Sequence, residues 1–508
     1  MQATPTESSP LLYPQGSSRF QVPFQQEDLD EQLIAQPDLA RNERSWLRHA
    51  PHELYFLLRS SFPITLTILF QTSVTTFSTV FLGRLGTTEL ASSSLASLYM
   101  MLTGYSLILG TASALDTLAA QAFTSALDSS SPNLLGILLQ RAIAILYFLL
   151  LPFVALLWLI AEPVLVHLLH QDPELARNAS RVIYIQFFAL PAMILFECIK
   201  RFLQAQGIMR ASAYTLFCTA PIGVYLCYLL ILHTPLGLLG APMANVTNWW
   251  IMLLGLLIYL WVNPKSRKHW NGLHPKEAFH SWRPFIHLGI PGFLMMASEM
   301  WALEACILSA SYFGPIALAS QSIAFESARL GGFIFISFGI AVSNRIGNLL
   351  GAAKACHARL AAWTSLGLVL LLSSIYSLLF IIYRDAWASI FTRDPEVHAM
   401  VIRLLPLISL FQLVQSIGIM CGGILKGMGK QKIAAILRVI CIYLIGLPLA
   451  LWLCFMAGWG ILGLWSALLV GMTLSALAEL YVLIRVDWDL EVTKCHDRIQ
   501  NANRETSR

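Results

Sequence analysis

Charged side chains are scarce in this sequence. Asp, Glu, Lys and Arg make up 12% of its 508 residues, whereas an average soluble domain carries about 25%. Hydrophobic residues make up 56%, and the mean hydropathy is +0.65. A soluble protein of this length would need far more polar surface to cover its core. The composition therefore excludes an ordinary soluble enzyme and a disordered scaffold, and it favours a protein with many membrane-spanning segments.

Several motifs of enzymes, channels and metal sites are also absent. The sequence has no GxxxxGK[ST] loop, no HExxH and no GxSxG, so we expect neither ATP-driven transport nor a membrane protease or lipase. No repeat resembling a channel selectivity filter occurs, which weighs against an ion channel. The nine cysteines form no pattern at metal-ligand spacing, which predicts packing roles without zinc or disulfides. We expect a protein that is not an enzyme, that holds no cofactor and that binds no nucleic acid.

The sequence contains instead twelve long apolar runs, each bounded by Gly, Pro or charge. About 20 apolar residues cross a bilayer as a helix, and lipid offers no hydrogen-bond partner to an open backbone. Because the runs do not alternate, a β-barrel is excluded. We therefore predict an all-α polytopic membrane protein. Its predicted spans are 56–82, 90–115, 138–160, 181–199, 211–232, 237–262, 285–311, 316–343, 361–382, 401–425, 434–456 and 461–484.

The distribution of Lys and Arg predicts the orientation of the chain. If the N-terminus is cytoplasmic, the inner loops hold 16 basic residues, with Lys426, Lys430 and Arg438 counted among them, and the outer loops hold 6. Cytoplasmic loops carry the excess of positive charge in most membrane proteins. We expect both termini to be cytoplasmic.

The second half of the chain repeats the first. Asp172-Pro173-Glu174 before span 4 recurs 222 residues later as Asp394-Pro395-Glu396 before span 10. At the same offset, Leu203 and Gly207 recur as Leu425 and Gly429. Each copy contains six spans, an even number, so the two copies enter the membrane in the same orientation. Two parallel six-helix repeats indicate a two-lobed secondary transporter.

We divide the chain into five parts. Residues 1–50 are a disordered cytoplasmic tail, 51–262 the N-lobe, 263–284 a cytoplasmic loop between the lobes, 285–486 the C-lobe and 487–508 a cytoplasmic C-terminal tail. Within the first tail, Glu7 precedes a Leu11-Leu12 pair. This spacing resembles an acidic dileucine sorting signal, with a chance match as the alternative, so we expect the plasma membrane or the vacuolar membrane.

A few charged residues lie inside the predicted spans, where a charge costs at least ~2.5 kcal/mol. Glu299 and Glu304 in span 7 lie roughly 140° apart on an ideal helix, so they do not face one narrow site. Glu326 and Arg329 in span 8 share a helix face. A carboxylate without a basic residue on its own span can bind and release a proton near physiological pH, and this property suits a proton carrier. The alternatives are a hydrogen-bonded structural Glu in span 7 and an ion pair in span 8 that only permits insertion.

Other residues of spans 1 and 7 suggest a pocket and two hinges. Trp301 adjoins Glu299, and an indole face attracts cations, although packing explains a tryptophan in a membrane helix equally well. Pro291 in span 7 and Pro63 in span 1 are candidate hinges, because proline removes a backbone hydrogen bond and permits a kink.

Four short motifs lie at the ends of spans or within them. The first ends span 2, the second lies in span 7, and the others follow spans 8 and 10. They are Ala114-Leu115-Asp116-Thr117-Leu118 with Gln121, Glu299-Met300-Trp301-Ala302-Leu303-Glu304, Ser343-Asn344-Arg345-Ile346-Gly347-Asn348, and Gly422-Gly423-Ile424-Leu425-Lys426-Gly427-Met428-Gly429-Lys430-Gln431. These motifs resemble those of the multidrug and toxic compound extrusion (MATE) family, in its eukaryotic branch, although Met300 stands where the family has Trp. The resemblance extends from about Glu53 to Arg485.

The resemblance implies a V-shaped pair of six-helix lobes that exchange organic, often cationic, compounds for protons or sodium. It assigns proton coupling and substrate contact to Glu299, Glu304 and Glu326. The family often has an acid in span 10 where this chain has Gln415, which leaves more of the coupling to Glu299 and Glu326. Asp116, Gln121, Arg345 and Asn348 fall in the motifs that we expect to form gate contacts.

These observations predict a proton-coupled antiporter that exports organic, mostly cationic, compounds. The expected partners are a small organic substrate and the lipid bilayer, the expected coupling ion is the proton rather than sodium, and the expected state is a monomer. The alternative function is a flippase for a lipid or lipid-linked precursor. A flippase would favour a cationic cavity for phosphate, whereas the intramembrane charges here are mostly acidic.

Overall fold

A computed structural model describes residues 43–128 and 134–506 of the chain. Within these ranges, twelve helices have the length and apolar composition needed to cross a membrane, which confirms the predicted all-α fold and the number of spans. They are His49–Leu85, Thr87–Ser125, Leu134–Leu159, Pro173–Ala205, Arg210–Leu232, Gly237–Val262, Arg283–Cys306, Pro315–Gly351, Ala355–Ile382, Pro395–Gly427, Gln431–Met456 and Gly460–Ile484. We number them as spans 1–12.

The duplication inferred from the sequence recurs in the local geometry of the two halves. The Asp172 side chain caps the start of span 4 by accepting from the Glu174 and Leu175 amides at 2.9 and 3.2 Å. Asp394 caps span 10 in the same way, and each cap precedes a proline at the first helical position. After the two spans, Gly207 and Gly429 take left-handed φ values of 78° and 76°. Spans 4 and 10 therefore begin with the same capping interaction and are followed by a glycine in the same backbone conformation.

The apolar core consists of four clusters, two of which connect the halves of the bundle. The largest joins spans 2, 3, 4, 5 and 6 with the start of span 7, and a smaller one joins spans 1, 5 and 6. In the second half, one cluster joins spans 7, 8, 10, 11 and 12. In the fourth cluster, Phe56, Leu57 and Ile64 of span 1 pack with Phe335 and Val342 of span 8. The two lobes therefore meet both where span 7 packs on the first half and where span 1 packs on span 8.

A nineteen-residue helix, Trp488–Thr506, follows span 12. We call it the C-terminal helix. It contacts spans 8 and 9 of the second repeat and the end of span 2 of the first. Cys495 and Ala502 on this helix are buried. The segment that we assigned to a C-terminal tail thus packs against both repeats.

One other part of the sequence-based division differs from the structure, and another gains detail. The first helix begins at Glu43 and continues to Leu85, so residues 43–50, assigned above to a disordered tail, are helical. The loop between the lobes contains two short helical turns, Pro264–Arg267 and Pro275–Ala278. The Glu7 and Leu11-Leu12 motif lies outside the described residues.

Candidate functional site

Four helices of the second repeat bring together one buried charged cluster. We call Glu299, Gln415, Arg438 and Glu479, from spans 7, 10, 11 and 12, the C-lobe cluster. Gln415 Nε2 donates to Glu299 Oε1 at 2.7 Å, and Arg438 Nη1 donates to Glu299 Oε2 at 3.1 Å. Arg438 Nε donates to Glu479 Oε1 at 2.9 Å, and Arg438 Nη2 donates to the Gly418 carbonyl at 2.8 Å. One guanidinium therefore links two carboxylates.

The cluster is almost fully shielded. Glu299 and Gln415 are each 8% exposed, and Glu479 is 0% exposed. A cavity with room for about one water molecule adjoins Glu299 and Gln415, and Ser475 and Met472 also line it. A carboxylate that is buried in this way needs a counter-charge or a proton to remain stable. With both carboxylates ionised, Arg438 neutralises only one of the two negative charges.

The sequence predicted two members of this cluster and missed the other two. Glu299 and Gln415 were expected at the site. Arg438 was counted among the inner-loop residues, but it lies within span 11 and is 6% exposed, so that assignment is wrong. The signal was present, because Arg438 falls inside the predicted span 434–456. Glu479 carried an equivalent signal, as a carboxylate inside the predicted span 461–484.

The remaining predicted coupling residues lie apart from this cluster. Arg329 donates to Glu326 in a bidentate pair, with Nε to Oε2 at 2.8 Å and Nη2 to Oε1 at 2.6 Å, and both side chains are about one third exposed. In the part of the chain that the structure describes, no hydrogen bond or ion pair joins this pair to Glu299. Glu304 is partly buried. Trp301 is 39% exposed and makes an edge-to-face contact with Phe293.

A second charged cluster joins the two repeats near the ends of spans 2, 4 and 10. Lys426 of span 10 donates to Asp116 Oδ2 of span 2, and the Asp116 Oδ1 atom lies 3.2 Å from Arg201 Nε of span 4. Arg201 and Lys200 both pair with Glu197, at 2.5 and 2.6 Å. Asp116 is thus held by one cation from its own repeat and one from the other repeat.

Neutral hydrogen bonds reinforce this junction along span 2. Thr117 Oγ1 donates to the Lys426 carbonyl at 2.6 Å, and Gln121 Nε2 donates to the Gly427 carbonyl at 2.8 Å. Thr124 Oγ1 donates to the Asn348 carbonyl at 2.8 Å. Asp116, Gln121 and Asn348, which the sequence analysis singled out as gate residues, therefore meet at one inter-repeat junction, to which Asn348 contributes its backbone.

Arg345, the fourth predicted gate residue, makes a separate contact between the repeats. Its Nε and Nη2 atoms donate to Glu53 of span 1 at 3.0 and 2.7 Å, and its guanidinium lies 4.3 Å from the centre of the Phe56 ring. Both side chains of the ion pair are about 3% exposed or less. A bidentate, stacked geometry of this kind suits Arg and does not suit Lys.

All of these contacts occur where span 1 begins and where spans 2, 8 and 10 end. We call this end of the bundle the terminal side. Buried ion pairs and hydrogen bonds between the repeats occupy it, so the lobes are fastened together there. A path for a solute through the terminal side would require these contacts to separate.

The two candidate hinges lie within continuous helices. Pro63 is inside the helix Glu43–Leu85 and Pro291 is inside Arg283–Ala310. Near Pro291, spans 2 and 7 approach closely: a Cβ atom added at Gly110 would lie 2.5 Å from the Phe293 Cα atom, and one added at Gly292 would lie 2.8 Å from the Gly110 carbonyl oxygen. Only glycine permits this backbone contact.

Comparison with known proteins places this architecture among characterised transporter folds. The sequence model of the MatE family matches residues 63–229 and 291–452. An uncharacterized transporter of Schizosaccharomyces pombe is 34% identical over 465 residues, which cover 91% of this chain and 84% of that relative. The "Multidrug and toxin extrusion protein 2" of Mus musculus is 33% identical over 426 residues, which cover 84% of this chain and 73% of that protein.

A solved structure has the same fold over most of the chain. The crystal structure of the eukaryotic MATE transporter AtDTX14 superposes with a TM-score of 0.81 at 25% sequence identity, covering 89% of this chain and 99% of that one. The two-lobe arrangement of twelve helices inferred from the sequence repeat is therefore confirmed.

Proposed function

Since the chain belongs to the MatE family, and is thus a multidrug and toxin extrusion transporter rather than an enzyme, we propose that it exports organic cations in exchange for protons. The observation that carries this proposal is the charge imbalance of the C-lobe cluster, in which two buried carboxylates share one guanidinium. Either a proton or a positively charged cargo can supply the missing charge, and the two would then compete.

The charge of the intramembrane groups supports a cationic cargo. The C-lobe cluster has an excess of acid, and the Glu326–Arg329 pair is neutral overall. A lipid phosphate would need the opposite excess, as with basic groups that form bidentate contacts to phosphate oxygens. These charges favour cation export over the alternative of a lipid flippase.

The closed terminal side supports a specific stage of the cycle. We propose that both termini are cytoplasmic, because basic residues cluster on that side. The described conformation is then one in which access from the cytoplasm is blocked by the Asp116–Lys426 and Glu53–Arg345 contacts. Protonation from the outer side would release the cargo outward, and deprotonation after the lobes reopen to the cytoplasm would restore affinity for it.

The test is exchange in proteoliposomes that contain the purified full-length chain. Tetraphenylphosphonium serves as the cargo, with an imposed pH gradient in one arm, an imposed sodium gradient in a second arm and no gradient in a third. We expect the pH gradient alone to accelerate exchange and Glu299→Gln to abolish that acceleration. Glu162→Gln is the control, because Glu162 pairs only with the exposed Arg177 at 3.6 Å in the described part of the chain. Acceleration by sodium alone, or an unaffected Glu299→Gln variant, would overturn the proposal.

Other properties belong to the same proposal. The protein acts as a monomer without a cofactor, in the plasma membrane or the vacuolar membrane. Static light scattering in detergent tests the first point. Fluorescence microscopy of a tagged chain, with and without the Leu11-Leu12 pair, tests the location.

A further inference from the structure

The C-lobe cluster contains one oxygen whose bonding differs from that of the others. Both oxygens of Glu299 accept a hydrogen bond, one from Gln415 and one from Arg438. Glu479 Oε1 accepts from Arg438. In the described part of the chain, Glu479 Oε2 is buried without a hydrogen-bond partner. A charged carboxylate oxygen left unpaired in a buried site is costly, so an ionised Glu479 is poorly stabilised at this atom.

Given the proton exchange proposed above, on which this inference rests, we propose that Glu479 carries the exchanged proton in this conformation, on Oε2, while Glu299 stays ionised. Glu299 has two donors directed at its two oxygens, an arrangement that stabilises the charged form of a carboxylate. Protonating Glu479 on Oε2 leaves its Oε1 contact with Arg438 intact. The proton therefore enters without breaking a hydrogen bond of the cluster.

Charge balance leads to the same assignment. One proton on Glu479 makes the cluster neutral, with ionised Glu299 paired to Arg438 at 3.1 Å. A proton on Glu299 instead would leave the Arg438 pair with Glu479 and a charged oxygen, Oε2, without a donor. Since the amide of Gln415 does not ionise, the second ionisable carboxylate of the site comes from span 12 rather than span 10.

A water-sized cavity lies close to the residue. Ser475, one helical turn before Glu479 on span 12, lines this cavity together with Glu299 and Gln415. Gln415 Oε1 is a second acceptor without a partner among the described residues. A single water molecule in that space would be able to donate to Gln415 Oε1, which places a hydrogen-bonding group between span 10 and the turn of span 12 that precedes Glu479.

Infrared difference spectroscopy on the purified full-length chain locates the proton. The C=O stretch of a protonated carboxylic acid lies above the amide band and disappears on ionisation. We expect wild type and the control Glu162→Gln to lose this band as the pH is raised. A change from Glu to Asp keeps the charge of the cluster, so Glu479→Asp should shift the frequency of the band and Glu299→Asp should leave the frequency unchanged. A band whose frequency shifts in Glu299→Asp and not in Glu479→Asp would overturn the assignment.

A binding measurement separates a coupling role from a structural one. Between acidic and neutral pH we expect the tetraphenylphosphonium Kd of wild type to fall about tenfold, a common size for coupling between two sites. Glu479→Gln keeps the acceptor for Arg438 and should bind the cation with a Kd that no longer changes with pH. Glu479→Asp, which restores a carboxylate, should recover part of the change. If wild type shows no exchange driven by a pH gradient, the proposed function fails. If wild type shows such exchange but the Kd of Glu479→Gln still changes with pH, only this inference fails.

Discussion

Arg498 Nη1 donates a hydrogen bond of 2.6 Å to Gln121 Oε1, so the helix that follows the second repeat is fastened to span 2 of the first. The same Gln121 side chain donates to the Gly427 carbonyl at the end of span 10. Gly429 permits the arrangement, because a Cβ atom there would lie 2.6 Å from the Arg498 guanidinium. Lys430 pairs with the buried Glu491 of the C-terminal helix at 2.9 Å. The helix thus joins both lobes on the terminal side.

Arg498→Ala is expected to loosen the C-terminal helix. A hydrogen bond from a charged group contributes about 1.5–3 kcal/mol, so its loss should raise the undocked fraction by about tenfold or more. Cys495, on the packed face of this helix, is 1% exposed. Its rate of alkylation by a maleimide, followed by mass spectrometry of the Cys495 peptide, should rise accordingly. Lys494→Ala is the matched control, because Lys494 pairs at 3.0 Å with Glu491 on the same helix. Equal rates in both variants would contradict the prediction.

The docking of this helix should weaken at alkaline pH. Burial, only partly offset by Arg498, raises the pKa of the Cys495 thiol from an ordinary 9.0 to about 12. The undocked thiol ionises first as the pH rises, so the contribution of this thiol to docking is constant below about pH 9 and falls by about 1.4 kcal/mol per pH unit above it. Hydrogen exchange of the C-terminal helix, corrected for the intrinsic rate at each pH, measures this change. In Cys495→Ala the dependence between pH 9 and 12 should be smaller by the contribution of this thiol.

The number of spans was predictable because hydropathy is a local property. Each apolar run has to satisfy its own backbone in lipid, whatever its neighbours are. The repeat was predictable for a similar reason, since Asp172 and Asp394 cap their helices through amides two and three residues away. The C-terminal helix also left a local signal: Val492, Cys495, Ile499 and Ala502 recur at helical spacing in a polar segment.

The C-lobe cluster could be predicted only in part. Its four side chains come from four spans. Whether Arg438 contacts Glu299 depends on the relative position of spans 11 and 7 along their helix axes. Sequence spacing within one helix carries no information on that offset. The Glu326–Arg329 pair is the opposite case: both residues lie on one helix, three positions apart, and the ion pair was foreseen as one of two alternatives and is present.

Asp116→Asn is expected to destabilise the closed terminal side more than Lys426→Met does. The first change leaves Lys426 without the carboxylate that it pairs with in the described part of the chain, and breaking a buried pair costs about 3 kcal/mol. The second leaves Asp116 with Arg201 at 3.2 Å. Thermal unfolding of the purified variants should therefore give a lower Tm for Asp116→Asn. A lower Tm for Lys426→Met would mean that Arg201 does not hold Asp116.

Gly110→Ala is expected to disturb the crossing of spans 2 and 7. The added methyl group would lie 2.5 Å from the Phe293 Cα atom, and a backbone atom cannot rotate away, so the two helices must separate. Overpacking of this kind costs about 1–3 kcal/mol. Gly332→Ala is the matched control, because it lies within the span 8 helix and its Cβ atom would meet nothing within 4 Å; alanine there should stabilise slightly through its higher helix propensity. Comparison of the two Tm values, together with exchange activity, tests whether this glycine contact joins the lobes. If Gly110→Ala matched Gly332→Ala in both measurements, spans 2 and 7 would accommodate the added methyl group. The close contact at Gly110 would then not be needed to join the two lobes.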